Sequence, residues 1–439
     1  MIAPQRRREI VDALRRGTVP QRGLAAFAVG TDRFAAALDD DLQNVSAGGA
    51  GFKAIRGEYG SGKTFAVRWL AERARSLGFA TAEVQISEGE TPLHHLETVY
   101  RRLCERLTTT DAAGGALRTV VDSWLFALHD DAIAAGTDPN DEAALGQAVD
   151  ALAESRLGSV ATQAPALAAV LRAYRVALAS GDAPVAEGLL AWLGGQPHVA
   201  ASIKRAGGIR GDLDHDGALA FLAGLLSILR GAGYAGLVLV LDEVETLQRV
   251  RSDVRDRALN ALRQLIDEVD QGRYPGLYLV ITGTPAFFDG PQGVTRLPPL
   301  AQRLHTDFTT DARFDNPRGI QLRLRGFDLN SLGEVGRRVR DLYADGAEAS
   351  TRIAERCDDS YVDVLANAVT GDLGGKVGVA PRVFLKKLVG DILDRIDQFE
   401  DFDPRRDYKL TITDGELTDI ERNARAASSV EDIDLEVGP

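Results

Sequence analysis

The stretch FKAIRGEYGSGKTF, residues 52–65, carries an apolar-flanked strand pattern into three closely spaced glycines and then Lys63-Thr64. Gly57 to Thr64 satisfies G-x-x-x-x-G-K-[ST]. Phe52 to Arg56 reads as a strand and the residues through about Ser76 as a helix, the strand–loop–helix setting that gives this pattern its chemical meaning. Glycines let the backbone wrap an anion, while successive N–H groups and the helix N-terminus point at it. Gly57, Glu58, Tyr59, Gly60, Ser61, Gly62, Lys63, Thr64 and Phe65 are therefore the expected phosphate cradle. Lys63 is expected on the terminal phosphates and Thr64 on Mg²⁺.

A phosphate loop alone does not imply hydrolysis, so the second half of such a site has to be found elsewhere. LVLVLDE, residues 237–243, supplies it. Asp242, at the end of an apolar strand, is placed to complete a Mg²⁺ shell, and Glu243 to orient an attacking water. The same acids could instead cap the following helix, where anions are favoured. A second apolar run, 277–282, ends in Thr282-Gly-Thr284-Pro285, so a hydroxyl emerges beside the acids if the two strands are neighbours. Thr282 or Thr284 is then a phosphate sensor or merely a turn cap. Arg303, on a short helix past that strand, is the preferred arginine finger, with Arg296, Arg313 and Arg318 as competitors.

The pattern around these motifs predicts an α/β fold with a parallel sheet flanked by helices. Helices are expected at 5–16, 31–46, 91–108, 216–230, 254–269, 329–343, 350–369 and 381–398, with further strands at 80–87 and 409–413. Residues 1–50 form N-terminal helices and a linker, and 51–326 the nucleotide-binding core, which carries an Ala- and Leu-rich helical insertion at about 110–210. Residues 327–427 form a helical C-terminal domain, and 428–439 an acidic, disordered tail.

Composition narrows the function class. With 45% hydrophobic and 26% charged residues the chain is globular, and a net charge of −13 argues against a surface that is one cationic glove for nucleic acid. Cys104 and Cys357 are too far apart in sequence to suggest a metal site or disulfide framework. The charged N-terminus has no apolar signal core, and no apolar run approaches a membrane span, so a soluble, cytoplasmic protein without membrane association is expected. Asp212 to Gly217 imitates half of a calcium loop, but its twelfth position is Ala223. His94 and His95 lack partners at ligand spacing. The arginine clusters at 6–8, 15–16, 337–340 and 405–406 are solvated helix faces or one basic groove for DNA.

With these residues in place the chain resembles the AAA+ class of P-loop ATPases, particularly the origin-recognition initiator branch. That resemblance implies a C-terminal lid and puts Pro20 and Arg22 of Val19-Pro-Gln-Arg22 on the adenine side. It also puts Arg382, in Ala380-Pro-Arg-Val-Phe-Leu, on the γ-phosphate. A closer resemblance is to the BrxD family of ATP-binding proteins from bacterial BREX phage-defence systems. It runs through residues 6–24, 52–65, 81–103 and 233–250. It implies ATP and Mg²⁺ as cofactors and other BREX proteins as partners, with DNA and a second copy of the chain as further candidates. The expected function is an ATP-hydrolysing switch on a defence complex. The alternatives are a nucleotide-dependent scaffold with little turnover and an initiator-like DNA-binding ATPase.

Overall fold

Strands β1 (Gly51–Arg56), β2 (Ala80–Gln85), β3 (Leu237–Asp242), β4 (Leu277–Gly283) and β5 (Gln321–Arg323) pair in parallel in the order β2-β3-β4-β1-β5. The computed structural model describes residues 2–373, 381–417 and 422. β3 and β4 are buried along their whole length. Strands covered on both faces need apolar side chains at every position, which is why they read as unbroken hydrophobic runs.

Because neighbouring side chains on a strand point to opposite faces, the sheet divides its apolar residues between two cores. Leu237, Leu239 and Leu241 with Leu277, Leu279 and Ile281 enter one, and Val238, Val240, Tyr278 and Val280 the other. Before β1 lie α1 (Pro4–Arg15) and α2 (Asp32–Ser46), and α3 (Lys63–Ser76) joins β1 to β2. After β2 come α4 (Leu96–Arg106) and an all-helical insertion of α5 (Leu117–Ala134), α6 (Glu142–Gln163), α7 (Pro165–Ala179), α8 (Ala183–Leu193) and α9 (Ala201–Ala206). Its helices start where the sequence supplies caps: the Asp141 and Asp182 carboxylates accept the Ala144 and Val185 N–H groups. α10 (His215–Gly231) returns the chain to β3, and α11 (Ser252–Asp270) crosses to β4. The insertion, α4, α10 and α11 fill the first core.

Past β4 are α12 (Pro285–Asp289) and α13 (Pro298–Leu304), then, after β5, α14 (Leu329–Ala344), α15 (Ser350–Arg356), α16 (Asp359–Asp372), α17 (Pro381–Lys386), α18 (Asp394–Gln398) and α19 (Pro404–Asp407). Residues of α14 to α18 share the second core with α1, α2 and α3. The junction is also polar: the carboxylate of Asp394, buried on α18, accepts from Arg15 Nε at 2.6 Å and from the Tyr343 hydroxyl at 2.8 Å.

Some elements differ from expectation. Residues 409–413 form no strand, because Leu410 and Ile412 satisfy their apolar character by packing into the second core without a ladder partner. β5 has no counterpart in the sequence reading; three residues long, it is flanked by Pro317, Gly319 and Arg325, which hide its pattern. The helix expected at 350–369 breaks at Cys357-Asp358, where Asp358 accepts the Tyr361 N–H and starts α16 anew. Between α17 and α18 the helical path widens to a π-type turn at Lys387–Leu393. The expected acidic tail lies outside the described residues.

Candidate functional site

β1 delivers the chain to the glycine-rich loop Gly57–Thr64 at the carboxyl edge of the sheet, the edge where open parallel sheets bind ligands. The loop's shape requires its glycines. Gly60 and Gly62 have φ of +80° and +89°, which side chains disfavour, and a Cβ on Gly57 would meet Ser61 Oγ at 2.3 Å. α3 begins at Lys63, so its first N–H groups, which have no partner within the helix, face the loop.

A cleft of about 650 Å³ opens here, a size suited to a small-molecule ligand. Tyr59 to Phe65 line it together with Asp242 and Glu243, so segments far apart in sequence converge. Pro20, Phe27, Phe34, Phe327, Val335 and Leu385 contribute apolar walls, while Arg33, Arg325 and Arg382 add positive charge. Phe27 packs edge-on against Phe65, ring centroids 5.4 Å apart.

The acid pair is held in detail. Asp242 Oδ2 accepts from Thr64 Oγ1 at 3.4 Å, and Asp242 Oδ1 accepts from the Glu243 N–H at 3.1 Å and from the Thr282 hydroxyl. Thr282 Oγ1 in turn accepts the Glu243 N–H at 3.0 Å. The Glu243 backbone is left-handed at φ +59°, rare outside glycine and frequent where function holds a residue in place. Its side chain, only part-buried, accepts from Gln85 Nε2 at 2.9 Å. Register explains that contact, because β2 pairs with β3 so that Gln85 stands opposite Asp242.

Lys63 is buried and turned back on its own loop. Its ammonium donates to the Gly57 carbonyl at 2.9 Å and the Glu58 carbonyl at 3.4 Å, lies 4.9 Å from the Tyr59 ring centre, and stands 3.4 Å from Glu245 Oε1. Burial pushes the Glu245 carboxyl above the usual carboxylate range, with Lys63 pulling the other way.

Not every expected residue reaches the cleft. β4 does lie beside β3, as the sensor reading required, but Thr282 is fully buried, and its hydroxyl is spent on Asp242 and Glu243. Arg22 misses the cleft although Pro20 lines it, because the chain turns at Gly23 and Glu72 of α3 holds the Gly23 and Leu24 N–H groups. Arg303 also points elsewhere, pairing with Asp267 at 2.7 Å and Asp270 at 3.0 Å on α11. Its competitors Arg296, Arg313 and Arg318 pair with Asp256, Asp311 and Asp40. Arg382 lines the cleft and donates to the Glu416 carbonyl at 2.6 Å.

The remaining motifs have structural duties. Asp214 caps α10 through the Gly217 N–H at 2.8 Å, Asp212 pairs with Lys204 at 2.7 Å, and the rings of His94 and His95 lie 4.3 Å apart, tilted by 43°. Cys104 and Cys357 are buried, free and in different cores. Arg6, Arg7, Arg15, Arg337, Arg338, Arg340, Arg405 and Arg406 each pair with a carboxylate, while Arg8 and Arg16 are exposed.

The donor set suits Mg²⁺. A hydroxyl and a carboxylate are hard oxygen ligands, and among the described residues no three His, Cys, Asp or Glu side chains form a metal cage. Mg²⁺ is commonly held by one or two such oxygens together with waters and phosphate oxygens. If Thr282 orients this donor set, Thr282→Val is expected to raise the Mg²⁺ midpoint about tenfold, the low end of the scale for losing a hydrogen bond to a ligating carboxylate. A Mg²⁺ titration of ATP binding reads this, and an unchanged midpoint would assign Thr282 to packing alone.

A five-stranded parallel sheet with a glycine-rich phosphate loop is compatible with the P-loop nucleotide-binding class. The family model described as BREX system ATP-binding protein BrxC/D matches residues 2–412, and the chain belongs to that family. No curated protein and no solved structure matched. No helix among the described residues is long and apolar enough to cross a membrane.

Proposed function

We propose that this chain binds ATP with Mg²⁺ in the cleft and hydrolyses it, as an AAA+-like switch of the BrxD type acting on a BREX defence complex. The observation that carries the reading is the approach of Thr64 to Asp242, 3.4 Å apart in space and 178 positions apart in sequence. Thr64 Oγ1 and the Asp242 carboxylate are hard oxygen donors that would hold Mg²⁺ beside a bound triphosphate. When bound, Mg²⁺ supplies charge neutralisation on those oxygens. Lys63 and the loop N–H groups hold the phosphates, Glu243 holds and deprotonates water, and Gln85 keeps the Glu243 carboxylate aimed. The apolar walls from Pro20 to Leu385 receive the base, and Arg382, which lines the same cleft, serves as the arginine that reads the terminal phosphate. Arg303 serves as a finger only toward a neighbouring subunit, after leaving Asp267 and Asp270.

The test is steady-state phosphate release. Release that saturates with ATP and stops on chelating Mg²⁺ is expected; tight ATP binding without release sinks the enzyme reading and favours a nucleotide-dependent scaffold. Stimulation by DNA at low salt would give DNA a partner role despite the paired arginines.

A further inference from the structure

We propose that Glu245 is a positioning residue for the phosphate-loop lysine, an internal anion that occupies Lys63 in the nucleotide-free chain and competes with the incoming triphosphate for it. The inference rests on the reading that the cleft binds ATP, and adds to it a built-in rival for the ligand.

Glu245 sits on the 3₁₀ turn Val244–Gln248 just after the acid pair, its side chain only 3% exposed. Both of its carboxylate oxygens are buried without a hydrogen bond of normal geometry, and the residue lines the cleft. A buried carboxylate is normally held by several donors, because stripping it of water is costly. Here the compensation is sparse: the Lys63 ammonium at 3.4 Å and the residue's own backbone N–H.

The other charged or titratable groups around it offer no replacement. Asp242 at the end of β3 repels it, and Glu243 beside it carries the same sign. Tyr59 on the phosphate loop is a neutral phenol, and Arg249 acts on Tyr59. Lys63 therefore has two suitors. In the empty chain Glu245 and the Gly57 and Glu58 carbonyls hold it; in the loaded chain the phosphates must draw the ammonium away and leave the anion behind. Breaking a buried pair by removing one partner is unfavourable, so part of the phosphate–lysine attraction is offset at every binding event.

Neutralising the rival should therefore tighten binding, the opposite of what loss of a merely structural side chain does. Glu245→Gln keeps size and polarity; Glu245→Met fills the space without a polar atom. Both are expected to bind ATP·Mg²⁺ about tenfold more tightly than the parent by calorimetric titration, and the gain should vanish when Lys63→Ala is added. Affinity unchanged or weakened in both variants overturns the proposal, as does a gain that persists without Lys63. Failure of both to fold also overturns it, since a residue the core needs is no dispensable counter-ion. If the parent chain itself does not bind ATP, the underlying nucleotide reading fails, a result distinct from a parent that binds and variants that bind no better.

Discussion

Lys63→Ala is expected to weaken ATP binding about 100-fold, roughly 2.7 kcal/mol, while leaving the chain folded. The loss is that of an ammonium making charge-assisted hydrogen bonds to phosphate oxygens, each worth about 1.5–3 kcal/mol. Two opposing effects bear on the size. Removing the lysine from the empty chain frees the Gly57 and Glu58 carbonyls and strands Glu245, which raises the energy of the unliganded state. That rise offsets part of the loss, but one ion pair at 3.4 Å is weaker than several charge-assisted bonds to a triphosphate. Phosphate contact therefore dominates. The loop N–H groups and the apolar walls remain, so weak binding persists. A titration showing the variant within threefold of the parent would mean that Lys63 stays on its own loop when the cleft is filled, and that the phosphates sit elsewhere.

How much of this was legible in the residues follows from the range of each interaction. The phosphate loop and the strand ending in Asp242 were readable because their determinants are local. Glycines stand where the backbone is left-handed, and every position of a doubly covered strand is apolar. The insertion was readable as helical, and its packing against one face of the sheet was not, since that depends on which face each strand residue presents. Gln85 escaped notice because its role exists only through the register that sets it opposite Asp242. Glu245 lay two residues from the acid pair in plain view, but only a 3₁₀ turn swings it back to Lys63. The arginines were the poorest guide. Arg303, Arg296 and Arg318 pair with acids far away in sequence, and Arg313 with one two residues off, contacts that no motif signals. Arg33 and Arg325, which do line the cleft, carried no motif.

Glu243→Gln is expected to slow hydrolysis by roughly 10²–10⁴-fold, the range for losing a general base, with ATP affinity nearly unchanged. The substitution is clean for a structural reason. Gln85 donates to a Glu243 carboxylate oxygen at 2.9 Å, and the carbonyl of a glutamine can accept the same bond, so the side chain keeps its aim and loses only its basicity. The backbone contacts are equally indifferent, because the residue's N–H donates to Asp242 and Thr282 whatever the side chain. The rival for the base is Glu245, nearer the loop lysine but almost wholly buried and committed to it. Glu243, part-exposed at the lip of the cleft, can meet a water molecule. Single-turnover phosphate release from ATP preloaded on the variant separates the two. A parental rate in Glu243→Gln, together with a collapse in Glu245→Gln, would move the base from the neighbour of Asp242 to the partner of Lys63.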